Sequence, residues 1–130
     1  MSIIRQEIVI KASAKKIYDA LTTSAQFSTM TGGAPASIDS VCGGELSLFG
    51  GMITGRQLDL VPNLRIVQAW RVKLWPEGMF SIVKFELQAK GTDTLLVLEH
   101  SAYPEEQGEP LAAGWRTNYI EPLQKYLEKI

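Results

Sequence analysis

Phe80-Ser-Ile-Val-Lys-Phe-Glu-Leu-Gln-Ala-Lys-Gly-Thr-Asp-Thr-Leu-Leu-Val-Leu-Glu-His-Ser101 is the stretch on which the fold turns. Val83, Phe85, Leu87 and Ala89 fall on one side of an extended chain, and Lys84, Glu86 and Gln88 on the other. A period of two marks a strand with one buried and one wet face, the pattern of an antiparallel sheet. Lys90-Gly91 then breaks the run, and a second apolar segment follows over residues 94–100. So short a connection favours an antiparallel neighbour.

Working outward, the same signal extends back through residues 36–41, 45–49, 53–60 and 65–73, where Ile66, Trp70 and Val72 share a face. The spacers are Gly43-Gly44, Gly50-Gly51, Pro62-Asn63 and Pro76-Glu77-Gly78. These are turn residues, because Gly tolerates positive φ and Pro fixes it. At the N-terminus Ile4, Gln6, Ile8 and Ile10 alternate with Arg5, Glu7 and Val9, which reads as a first strand. Ser13 suits a helix cap, and Ala14, Ile17, Tyr18 and Leu21 form the stripe of a short amphipathic helix. Phe27 and Met30 continue into a second short helix, stopped by Gly32-Gly33 and Pro35.

The tail changes period. Leu111, Trp115, Tyr119, Leu123, Leu127 and Ile130 recur near helical spacing, with Tyr126 beside them and Pro110 in the first turn. Pro122 cannot donate to the carbonyl of Asn118 and predicts a bend there. The expected architecture is α+β: a curved antiparallel sheet of about six to seven strands, two short helices, and one long C-terminal helix over the apolar face. Residues 1–130 read as one domain, within the usual size range.

Composition narrows the function. There are 13 Lys+Arg against 14 Asp+Glu, with one His and one Cys. Cys42 has no second cysteine to pair with, and with His100 it cannot build a Cys/His zinc site. No cofactor or metal site is expected. No basic stripe suggests nucleic acid. Arg5, Glu7 and Lys11 interrupt any secretory signal, and no apolar run is long enough to cross a membrane as a helix. A cytoplasmic location is the expectation. The glycine pairs match neither phosphate-binding spacing. His100 ends a strand with no visible partner, and Cys42 lacks a cationic neighbour to activate it, so no catalytic residue is assigned.

The aromatics carry more. Trp70, Phe85, Trp115 and Tyr119 fall where sheet and helix should meet, as core or as the walls of a cavity, with Arg56 and Glu86 placed at its rim. Trp75-Pro76-Glu77-Gly78 occupies a loop, with Arg71 and Lys73 nearby. Trp75 there reads as a contact residue for a protein partner.

The ordered set Gly43-Gly44-Glu45-Leu46-Ser47-Leu48-Phe49-Gly50-Gly51, Gly55, Asp59-Leu60-Val61-Pro62, Ile66-Val67, Trp70-Arg71, Trp75-Pro76-Glu77-Gly78 and Gly114-Trp115 closely resembles the C-terminal domain of activators of Hsp90 ATPase (Aha1-like proteins). That family lies within the Bet v 1/START-like (SRPBCC) superfamily. The resemblance implies a helix-grip fold, matching the order read from periodicity. It also implies a non-enzymatic domain that contacts the nucleotide-binding domains of an Hsp90-type chaperone and favours their closed arrangement. The chain begins at the first strand of the region resembled, so the separate anchoring domain of the eukaryotic co-chaperone is expected to be absent. Superfamily relatives imply a second reading, a carrier of an apolar small molecule in the sheet–helix cavity. A third, a polyketide cyclase-like enzyme, needs convergent ionisable groups that the apolar patterning does not provide.

Overall fold

The computed structural model describes residues 2–130. Strand β1 (Ile3–Ile10) leads into helices α1 (Ala14–Thr22) and α2 (Ser24–Met30). Ser13 caps α1, its hydroxyl accepting from the Lys16 N–H at 3.2 Å. Six strands follow: β2 (Ser37–Ile38), β3 (Glu45–Leu48), β4 (Ile53–Val61), β5 (Arg65–Val72), β6 (Ser81–Lys90) and β7 (Asp93–Ser101). They form one antiparallel sheet in the order β1-β7-β6-β5-β4-β3-β2, so β1 and β2 are its edges.

The inward face of the sheet holds the residues that alternation selects. Ile66, Trp70, Val83, Phe85, Leu87, Leu96 and Leu98 are buried. Ile17, Leu21, Phe27 and Met30 from the short helices complete the core. The register is helped at Gly55, opposite Trp70, where a Cβ would meet the Ala69 carbonyl oxygen at 1.7 Å. Only glycine lets the two backbones approach this closely. Beyond it the register shifts between Gln57 and Asp59, a bulge that increases the local twist.

Two expectations are corrected. The strand expected over 36–41 is only Ser37–Ile38, because the Gly43 N–H reaches Gln57 O at 2.7 Å and Gly44 N–H reaches Val41 O at 2.9 Å, folding 39–44 into a turn. The last helix begins at Gly108, which puts Pro110 in its first turn as expected, but it is not a single α-helix with a bend. It runs through α3 (Gly108–Gly114), a π-helical stretch (Trp115–Ile120) and α4 (Glu121–Glu128). The disturbance expected at Pro122 takes the form of this wide turn. The Glu121 N–H reaches back five residues to Arg116 O, and Pro122, having no N–H, opens α4.

Candidate functional site

β5 and β6 project Trp70 and Phe85 upward, and the π-helical stretch lays Trp115 and Tyr119 against them. Trp70 and Trp115 stack at 4.7 Å with 20° between planes; Phe85 and Tyr119 stack at 5.8 Å. Trp115 and Tyr119 lie 4.7 Å apart. All four are buried. Burial pushes the Tyr119 phenol above its ordinary pKa.

A buried indole N–H needs an acceptor. Trp115 Nε1 donates to His100 Nδ1 at 2.9 Å. An indole can only donate, so Nδ1 is the bare nitrogen and the ring proton sits on Nε2. Nε2 then donates to Ser81 Oγ at 2.7 Å, and that hydroxyl donates to Trp70 O at 3.3 Å. Burial pushes the His100 pKa down to about 4. The histidine is therefore neutral and held on both sides, a rivet between helix and sheet. Trp70 Nε1 has its own acceptor, Gln68 Oε1 at 2.9 Å, and Gln68 Nε2 donates to Gln57 Oε1 at 3.1 Å. Gln57 Nε2 is buried without a partner. Among the described residues no Asp, Glu, Lys or Arg is buried, so this layer holds no charged acid or base.

Beside the layer a cleft of about 600 Å³ opens between the β3–β4 turn and the C-terminal helix. Trp70, Trp115 and Tyr119 line it with Phe49, Met52, Ile53 and Leu111; Thr31, Thr117 and Asn118 supply polar groups. Phe49 holds a left-handed φ of 54° while packing edge-on to Phe27 at 5.8 Å. Such backbone costs energy in a bulky residue and persists where packing holds it.

Three of the four aromatics read from sequence as cavity walls line this cleft. Phe85 lies behind them, fully sealed. Arg56 and Glu86 are not at its rim, because strand parity turns them to the opposite face. Gln57 and Phe85 point inward, so Arg56 points outward to Glu45 Oε1 at 3.0 Å and Glu86 outward to Lys84 at 3.3 Å. Phe49, Met52 and Leu111 were not assigned to the cavity from sequence. The Phe49-Gly50-Gly51-Met52 turn was the local signal for the first two, and the C-terminal helical stripe that for Leu111.

The loop joining β5 to β6 also departs from expectation. Trp75 is buried, with 6% of its surface exposed, and belongs to the core. Its most exposed apolar residue is Leu74, at 84%, and Lys73, Pro76, Glu77, Gly78 and Phe80 are exposed too. Arg71 holds the loop from beneath: Nη2 donates to Trp75 O at 2.6 Å and Nε to Pro76 O at 3.4 Å. Arg71 thus positions the backbone, and Trp75 anchors a crest whose outermost side chain is Leu74.

A seven-stranded antiparallel sheet gripping one long C-terminal helix, with short helices between its first strands, is the helix-grip architecture of Bet v 1/START-like proteins. A family model described as activator of Hsp90 ATPase homolog 1-like protein matches residues 11–128, and the chain belongs to that family. It is 32% identical over 113 residues to the human activator of 90 kDa heat shock protein ATPase homolog 1, covering 87% of this chain and 33% of that protein. It thus spans about a third of the length of such curated relatives. Among solved structures, an Hsp90 activator from Plasmodium falciparum superimposes with a TM-score of 0.87 at 25% identity, over 96% of both chains. The Aha1 dimer from Colwellia psychrerythraea gives 0.83 at 25% identity, over 98% of this chain and 97% of that one. CalU16 from Micromonospora echinospora gives 0.78 at 26% identity, over 96% and 74%.

Proposed function

We propose that this domain is an Hsp90 ATPase activator-like module that works by protein contact and performs no covalent chemistry itself. The observation that supports this best is the end-to-end likeness, over 96% of both chains, to the Plasmodium falciparum Hsp90 activator. The core fits the reading, since its one histidine is neutral and fully bonded.

The mechanism is a population shift. A domain that binds the closed, hydrolysing arrangement of a chaperone more tightly than the open one raises the closed share by that difference in affinity. The contact surface is the crest of the β5–β6 loop, with Lys73, Leu74, Pro76, Glu77 and Gly78 outward and Arg71 and Trp75 holding it. The test is ATP turnover by a purified Hsp90-type chaperone titrated with this chain. Saturable acceleration is expected, and Leu74→Asp should lose it without a change in fold. Neither binding nor acceleration, with the chain in large excess, would overturn the proposal.

The cleft favours a second reading, carriage of an apolar small molecule. Its volume falls in the roughly 300–1,000 Å³ range of ligand pockets. Native mass spectrometry should then show a retained mass, displaced by an apolar dye. Bare protein that takes up no dye would remove this reading.

A further inference from the structure

The two edges of the sheet are finished differently. β2 is two residues long, a common way of blunting an edge. β1 runs for eight residues, Ile-Ile-Arg-Gln-Glu-Ile-Val-Ile, with neither Pro nor Lys to discourage pairing. Its outward side chains include Ile3 and Val9, exposed at 60% and 56%. Every second residue of an edge strand also turns its backbone N–H and C=O away from the sheet.

We infer that β1 pairs antiparallel with β1 of a second copy of this chain, with Gln6 opposite Gln6 on the two-fold axis. The sequence is self-complementary in that register. Ile3 then faces Val9, Ile4 faces Ile8, and Arg5 faces Glu7 of the second copy. Residues directly opposite in an antiparallel pair lie on the same sheet face. The exposed pair Ile3/Val9 therefore covers itself, and the charges meet with opposite sign. The neighbouring symmetric registers fail. A shift one way places Arg5 against Arg5, and the other way Glu7 against Glu7, and like charges directly opposite repel.

The existing charge row leads into this join. On the outward face Lys84 Nζ meets Glu99 Oε1 at 3.1 Å, and Arg5 Nη1 meets Glu99 Oε2 at 3.2 Å. Lys84, Glu99 and Arg5 stand directly across from one another on β6, β7 and β1. The row reads plus, minus, plus; Arg5 Nη2 also holds Glu7 Oε2 of its own strand at 2.5 Å, and Glu7 of the second copy would join this cluster across the axis. A contact of this kind is isologous and closes as a dimer. It stands independently of the functional proposal.

Sedimentation equilibrium of the full chain at about 100 µM, which populates any dimer with a Kd below that value, should give twice 14.4 kDa. Glu7→Arg sets Arg against Arg5 of the second copy and should return the monomer mass. With Cys42→Ser as background, mild oxidation should cross-link Gln6→Cys to itself. Opposed Cα atoms roughly 4.5–5.5 Å apart fall within disulfide reach. Glu7→Cys, two positions out of register with its copy, should cross-link poorly. A monomer under these conditions overturns the inference. So does a dimer that Glu7→Arg leaves intact, or one in which Glu7→Cys links better than Gln6→Cys.

Discussion

Trp115 donates its indole hydrogen to Nδ1 of His100 across 2.9 Å, joining the C-terminal helix to β7 through two buried side chains. The bond fixes the tautomer of the histidine, and the tautomer fixes the direction of every hydrogen bond down to Trp70 O. The helix is thereby tied to three strands by one polar chain inside an apolar layer.

The chain should be sensitive to mild acid. Folded His100 stays neutral down to about pH 4, whereas an unfolded histidine protonates near pH 6.5. Between those values the unfolded state binds the extra proton, so stability falls as pH drops through this window and levels below it. At 1.36 kcal/mol per unit the His100 share is roughly 3 kcal/mol. Urea unfolding at pH 7 and pH 4.5 should show this loss in the wild type and a clearly smaller one in His100→Gln.

Trp115→Phe keeps an aromatic in the stack but leaves His100 Nδ1 without a donor. Stranding a buried acceptor costs about 1–3 kcal/mol. Denaturant midpoints at neutral pH should fall accordingly. A midpoint equal to wild type would mean that another donor reaches the ring.

In the β5–β6 loop the two neighbouring apolar residues should behave oppositely. Trp75→Ala removes a buried side chain and should cost about 3–5 kcal/mol. Leu74→Asp, at an exposed position, should stay within about 0.5 kcal/mol while losing any effect on a chaperone's ATP turnover. Thermal melts and turnover on both variants separate anchor from crest.

Gly55→Ala drives a methyl group into the Ala69 carbonyl. Backbone on both strands would have to move, so the loss should exceed the roughly 0.5–3 kcal/mol of an ordinary substitution. Amide exchange of β4 and β5 should rise most. Unchanged protection of those strands would contradict the close approach.

What was legible in the sequence was what repeats over short distances. Val83, Phe85 and Leu87 announce a strand and its buried side, and Ala14, Ile17 and Leu21 a helix, because burial leaves a period of two or 3.6. Partners far apart in the chain leave no such trace. His100 is fixed by Ser81, nineteen residues before it, and by Trp115, fifteen after it. Neither spacing means anything until the hairpin and helix have formed. Trp75 misled for a related reason. Pro76-Glu77-Gly78 correctly marks a turn, but a turn does not say which of its side chains folds back. Arg56 and Glu86 were misplaced although strand parity was readable, since Gln57 and Phe85 beside them claim the inner face.

The wide turn in the last helix has a consequence for how that helix keeps time with the sheet. Trp115, Tyr119, Leu123 and Leu127 follow one another at intervals of four, and all are buried. In an unbroken α-helix each interval of four runs about 40° ahead of a full circle, so three intervals would carry Leu127 about 120° around from Trp115. The π-helical stretch slows the rotation where the lead builds up. It acts as a vernier that returns a ladder of fours to one azimuth. The phase of the helix is therefore set by residue count. Losing one residue within 115–120 would let the stretch close into ordinary α-helix, with Leu123 and Leu127 then about 20° either side of the Trp115 azimuth, so the ladder would keep its face while the wide turn vanished.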